Sequence, residues 1–142
     1  MTTAAASILF LCLLTVSLAH FLWAIGSKWP IRDPELLART VMGTPKFKRV
    51  PRFPSLIVAL LVLAAAAIGS ALADKTSGGL LLTLAGIVLT LVFGVRGVLG
   101  YTAWWRARFP LEPFATLDRR IYSPLCLVVA VCFAILVITR LT

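Results

Sequence analysis

Apolar residues gather into four runs, Ala4 to Ile25, Leu56 to Ala73, Gly79 to Tyr101 and Ile121 to Ile138, and nearly every charge falls between them. At about 1.5 Å per helical residue, each run is about long enough for a hydrocarbon core of roughly 30 Å. The pattern predicts an all-α protein, an integral membrane bundle of four transmembrane helices forming one domain over residues 1–142. Met1 to Ile8 hold no Lys or Arg, so the first run lacks the basic lead of a signal peptide and is expected to persist as a helix.

The first connector carries a helix signal of its own. Asp33 reads as an N-cap, Pro34 as the first helical residue and Glu35 as a first-turn acid, with a stop at Gly43, Thr44 and Pro45. A short interfacial helix from Pro34 to Met42 is expected, with Leu37 and Val41 on its apolar edge and Arg39 elsewhere. The segment KFKRVPRFP, Lys46 to Pro54, follows, and Pro45, Pro51 and Pro54 should hold off the second span until Leu56. The fourth span has two start cues, Asp118 as a cap and the pair Ser123 and Pro124, which a kink at Pro124 would reconcile.

On the third span, Gly79, Thr83, Gly86, Thr90, Gly94, Gly97 and Gly100 lie along one meridian at 100° per residue. Lipid gives helices no hydrophobic reason to associate, so such a seam favours close backbone approach. The expected partner is the second span, through Ser55, Ala59, Ala66, Gly69 and Ala73; a second copy or another membrane protein is the alternative.

Composition fits a chain living mostly in lipid: 61% hydrophobic, 13% charged, with a mean hydropathy of +1.01. The net charge of +9 does not imply nucleic-acid binding, because the cations are segregated by loop. Seven lie between Gly26 and Phe53 (Lys28, Arg32, Arg39, Lys46, Lys48, Arg49, Arg52) and four between Thr102 and Arg120 (Arg106, Arg108, Arg119, Arg120). Only Lys75 and Arg140 belong to the other side. Retention of basic loops predicts a bacterial inner membrane protein with the first and third loops cytoplasmic and both termini on the periplasmic or outer side. Lys46, Lys48, Arg49 and Arg52, interleaved with Phe47 and Phe53, are candidate contacts for anionic lipids of the cytoplasmic leaflet.

Trp23, Trp29, Tyr101, Trp104, Trp105 and Tyr122 all sit at the cytoplasmic ends of their runs, which makes that end the place to seek a site. The sole histidine, His20, and the sole charge well inside a span, Arg96, share that depth. Arg96 has three readings: snorkelling to the interface, pairing with Asp118, or holding a lipid phosphate. His20 could bond Tyr122 or Ser123 across helices, or carry protons beneath a roof of Trp23 and Trp104. Metal or haem ligation by His20 with Cys126 lacks further ligands, and Cys12, Cys126 and Cys132 form no CxxC pair, so no metal or other cofactor is expected. No catalytic constellation is present. The expected function is non-enzymatic binding of a lipid, small amphipath or membrane partner through His20, Trp23, Arg96, Asp118 and Tyr122. A proton-handling enzyme or transporter, or an assembly subunit, are the alternatives.

AHFLWAIG, Ala19 to Gly26, and FATLDRRIYSPLCL, Phe114 to Leu127, resemble the two signatures of a family of small bacterial four-helix membrane proteins classed as a domain of unknown function. The positions that carry it are His20, Trp23 and Gly26 at the end of the first helix, and Asp118, Tyr122, Ser123, Pro124 and Leu125 at the start of the last. The resemblance implies the four-helix architecture and no activity.

Overall fold

The computed structural model describes residues 1–74, 76 and 78–142 of the chain; Lys75, assigned above to the outer side, lies outside them. Four long helices result: α1 (Thr2–Ala24), α3 (Arg52–Ala73), α4 (Gly79–Leu99), and α7 (Ser123–Leu141) with its N-terminal extension. Between them lie α2 (Pro34–Met42), α5 (Ala103–Arg108) and α6 (Phe114–Leu117), the last running through a π-helical turn, Asp118–Tyr122, into α7. All four long elements have the length and apolarity to cross a membrane, the last spanning Phe114–Leu141, which makes the chain a multi-pass membrane protein. Their outer faces carry Leu11, Leu60, Leu61, Leu81, Leu91 and Val131, each more than half exposed, an arrangement stable in lipid and costly in water.

Several helix bounds differ from the expected ones for identifiable reasons. α3 begins at Arg52, because Pro54 sits in the first turn, where its missing N–H has no partner to lose. The last helix begins at Phe114, not Ile121, and neither Asp118 nor Ser123 caps it. Pro124 cannot donate to the carbonyl four residues back; the π turn ahead of it runs Ser123 N–H to Asp118 O instead. The side chains of Asp118 and Ser123 are thereby free for another task. The short helix α2 forms as expected: Asp33 accepts from Glu35 N–H at 2.9 Å and Gly43 closes it at φ 63°. Its Leu37 and Ala38 are buried, with α6 among its neighbours, while Arg39 is exposed.

The helices pack as two intimate pairs, α1 with α3 and α4 with α7, joined chiefly by α1 against α7. Leu9, Leu13, Leu72, Phe133 and Leu136 fill the centre, and Phe93 stacks on Phe133 at 6.0 Å. The small-residue seam of α4 therefore faces a different partner from the one expected. Gly86 meets Val137 and Leu72, Gly97 meets Leu127, and Gly100 meets Ser123, so α7 occupies most of it. The small residues of α3 serve α1 instead: Gly69 receives Leu9, and Ser17 Oγ donates to Ala59 O at 2.8 Å. Ser17→Ala removes only this interhelical bond, and an unfolding titration in mixed micelles is expected to show a loss of about 0.6 kcal/mol.

With this up-down topology, the ends of α1 and α4, the starts of α3 and α7, and both basic connectors lie at one end of the bundle. The end of α3, the start of α4 and the end of α7 lie at the other. There Arg140 folds back, its Nη1 donating to Asp74 O at 2.6 Å.

Candidate functional site

Arg96 lies one turn from the end of α4; a bare guanidinium costs about 2.5–3.5 kcal/mol at the centre of a span on insertion scales, and less toward its end. It is not bare. Its Nη2 donates to Asp118 Oδ1 at 2.5 Å, and Nη1 reaches Ser123 Oγ at 3.4 Å. Trp105 completes the enclosure: its Nε1 donates to Asp118 Oδ2 at 3.0 Å, and its ring lies 4.6 Å from the guanidinium carbon. Asp118 is 2% exposed and Arg96 29%, so the carboxylate is the buried anchor and the guanidinium the accessible member. Both carboxylate oxygens are thus held by donors.

Each element contributes for a local reason. The π turn aims Asp118 inward by inserting one extra residue before α7. Gly100, just past α4, lets the chain approach closely: a Cβ there would fall on Ser123 Oγ and lie 2.8 Å from Asp118 Oδ2. Thr102 caps α5, its Oγ1 accepting from Trp105 N–H at 3.3 Å, which sets the phase that turns Trp105 toward the pair. Its neighbour Trp104 is 66% exposed, so the roof expected from Trp104 is supplied by Trp105.

A cavity of about 480 Å³ opens in front of Arg96. His20, Trp23, Trp105, Phe109 and Phe114 give it aromatic walls, Val58 and Met42 aliphatic ones, and Lys46 and Arg108 two further cations. Rings pack continuously from Trp105 to Phe109 (4.5 Å), Phe114 (5.9 Å) and Tyr122 (5.8 Å). Neither Lys46 nor Arg108 forms an ion pair with a described residue.

Of the five expected site residues, His20, Trp23 and Arg96 line this cavity, while Asp118 stands behind Arg96. Tyr122 does not line it; its hydroxyl donates to Thr40 O at 3.2 Å and ties α2 to the last helix. His20 makes neither expected interhelical bond. Its Nδ1 lies 2.9 Å from Val16 O of its own helix, and its ring meets Trp23 edge-on at 4.8 Å, because Tyr122 and Ser123 are engaged elsewhere. Trp23 is fixed by donation from Nε1 to Trp29 O at 2.7 Å. Among the expected lipid contacts, Lys46 lines this cavity, Arg49 and Arg52 line a neighbouring one, and Lys48 is exposed and lines neither.

Trp105, Arg108, Phe109 and Phe114 were missing from the expected set. One signal for Trp105 was legible: threonine three residues ahead of it, the spacing of an N-cap. Among the described residues no group of His, Cys, Asp or Glu is arranged to hold a metal ion. Among the described residues that line the cavity, the charged side chains are Arg96, Lys46 and Arg108, and none is a carboxylate.

Residues 13–133 match the family described as "Protein of unknown function (DUF3995)", and the chain belongs to that family. No curated protein and no solved structure matches it.

Proposed function

We propose that this member of the DUF3995 family is a non-enzymatic binding protein of a bacterial inner membrane, taking an acidic amphiphile into the Arg96 cavity at the cytoplasmic leaflet. The observation that carries the reading is a guanidinium anchored from behind by a buried carboxylate and open in front to an aromatic, cation-flanked hollow. A guanidinium held in this way keeps its fork oriented for a carboxylate or phosphate without first having to be ordered. Lys46 and Arg108 add attraction at the mouth, and the ring and aliphatic walls suit an alkyl chain better than a free inorganic ion. The segregation of basic loops at this end supports the cytoplasmic assignment.

Dodecanoate titrated into the full chain in dodecyl maltoside micelles, followed by tryptophan emission, tests this. Saturable binding is expected, weakened about tenfold or more in Arg96→Met/Asp118→Leu, since two charge-assisted hydrogen bonds are lost together without leaving a lone buried charge. Dodecyltrimethylammonium, of equal chain length and opposite charge, is expected to give no saturable change. Equal response to both amphiphiles, or an unchanged response in the variant, removes the assignment.

A further inference from the structure

A second cavity, of about 460 Å³, lies beside the first and shares only the wall made by Trp23 and Val50. Lys28, Arg49 and Arg52 converge on it, with Ser27 between them. Arg49 and Arg52 belong to the basic run ahead of α3, and folding brings Lys28, at the exit of α1, to the same cavity. No described carboxylate forms an ion pair with any of the three. All three are exposed, so water and salt screen their mutual repulsion, and an anion bound among them would relieve what remains.

The wall is shaped around the charges. Gly26, at φ 90°, lies just past α1 with its backbone against the Arg52 guanidinium; a Cβ there would lie 2.6 Å from Nη2 and 3.0 Å from the guanidinium carbon. Arg52 therefore packs against bare backbone at the cavity wall. Ser27 Oγ accepts from Trp29 N–H at 3.2 Å, leaving its own hydroxyl proton to donate. The rest of the lining includes the apolar side chains of Trp23, Pro34, Leu37 and Val50.

We propose that this cavity is a phosphate-ester site, distinct from the Arg96 cavity, in which Lys28, Arg49 and Arg52 hold the phosphate and Trp23, Pro34 and Leu37 cover the esterified carbon skeleton. Two guanidiniums and an ammonium match the several oxygens and double charge of a phosphate monoester better than the single charge of a carboxylate. The apolar lining adds contact area that inorganic phosphate cannot use. The inference does not depend on the reading of the Arg96 cavity.

The chemistry admits two sources, a lipid headgroup or a soluble phosphate ester, and two probes separate them. The full chain in dodecyl maltoside is titrated by calorimetry with sn-glycerol 3-phosphate and with dihexanoyl phosphatidate, alongside Arg52→Ala, Lys28→Ala, Lys48→Ala and Arg96→Met/Asp118→Leu. Binding of both probes indicates a soluble ester, and binding of phosphatidate alone a headgroup; either supports the site provided Arg52→Ala and Lys28→Ala each weaken it about tenfold or more while Lys48→Ala does not. Lys28 lies in the non-helical exit from α1, so its variant guards against loss by misfolding at the α3 start. The proposal is overturned if neither probe binds, or if Lys48→Ala weakens binding as much as the other two, which would mark diffuse attraction. It is also overturned if only Arg96→Met/Asp118→Leu abolishes binding, which would place both probes in the first cavity.

Discussion

Asp118→Ala is expected to destabilise the bundle by about 3 kcal/mol, the lower end of the range for breaking a buried ion pair. It leaves the Arg96 guanidinium without its counter-charge and the Trp105 indole without its acceptor. Arg96→Met strands the buried Asp118 carboxylate, 2% exposed, and should cost a similar amount. The double replacement Arg96→Met/Asp118→Leu is expected to recover most of the loss, because an apolar pair of similar volume carries no desolvation penalty. Unfolding in dodecyl maltoside and dodecyl sulfate mixtures measures all three. If the two single losses simply add in the double variant, the pair is not coupled and the geometry described here does not hold in the membrane protein.

Gly100→Ala is expected to be the most damaging change on the α4 seam, at about 3 kcal/mol, combining overpacking with displacement of Ser123 and Asp118. The added Cβ falls on Ser123 Oγ, and both flanking backbones belong to packed helices that cannot retreat independently. Gly94→Ala is the built-in control. There the nearest atom to a new Cβ is Ala130 Cβ at 3.9 Å, an ordinary contact, so the same replacement should be neutral or stabilise by up to about 1 kcal/mol through reduced freedom of the unfolded chain. Equal effects at Gly94 and Gly100 would mean that the seam is not read by α7 at atomic distance.

Much of this architecture was legible because bilayer thickness imposes a length and an apolarity that the four runs display directly. The cap at Asp33 and the stop at Gly43 were legible too, since both act within a few residues of themselves. The seam on α4 was visible, but a stripe of small residues specifies close approach without naming the partner. Helices joined by the shortest turn, α3 and α4, turned out to touch less than α4 and α7. Asp118 and Ser123 failed as caps for a related reason: the residue types that cap helices are those that bind a guanidinium, and Arg96, 22 residues before Asp118, made the stronger claim.

The site was legible where it carried a charge in a span. Arg96 and Asp118 announce themselves against an apolar background, and the one-sided supply of aromatics marks the end at which the Arg96 cavity opens. Phe109 and Phe114 gave no such sign, because they lie around irregular backbone where no periodicity assigns a face. Trp105 and Trp104 are neighbours in sequence and about 100° apart on a helix, so only the phase set by Thr102 separates the ring that stacks on Arg96 from the one that does not.

Mass spectrometry of whatever remains bound after gentle extraction from native membranes, comparing the natural chain with Arg96→Met/Asp118→Leu, decides whether the Arg96 cavity holds an acidic amphiphile. One class of acidic amphiphile is expected to be enriched on the natural chain and lost from the variant at equal protein yield. The same bound set on both, or no acidic species on either, contradicts it.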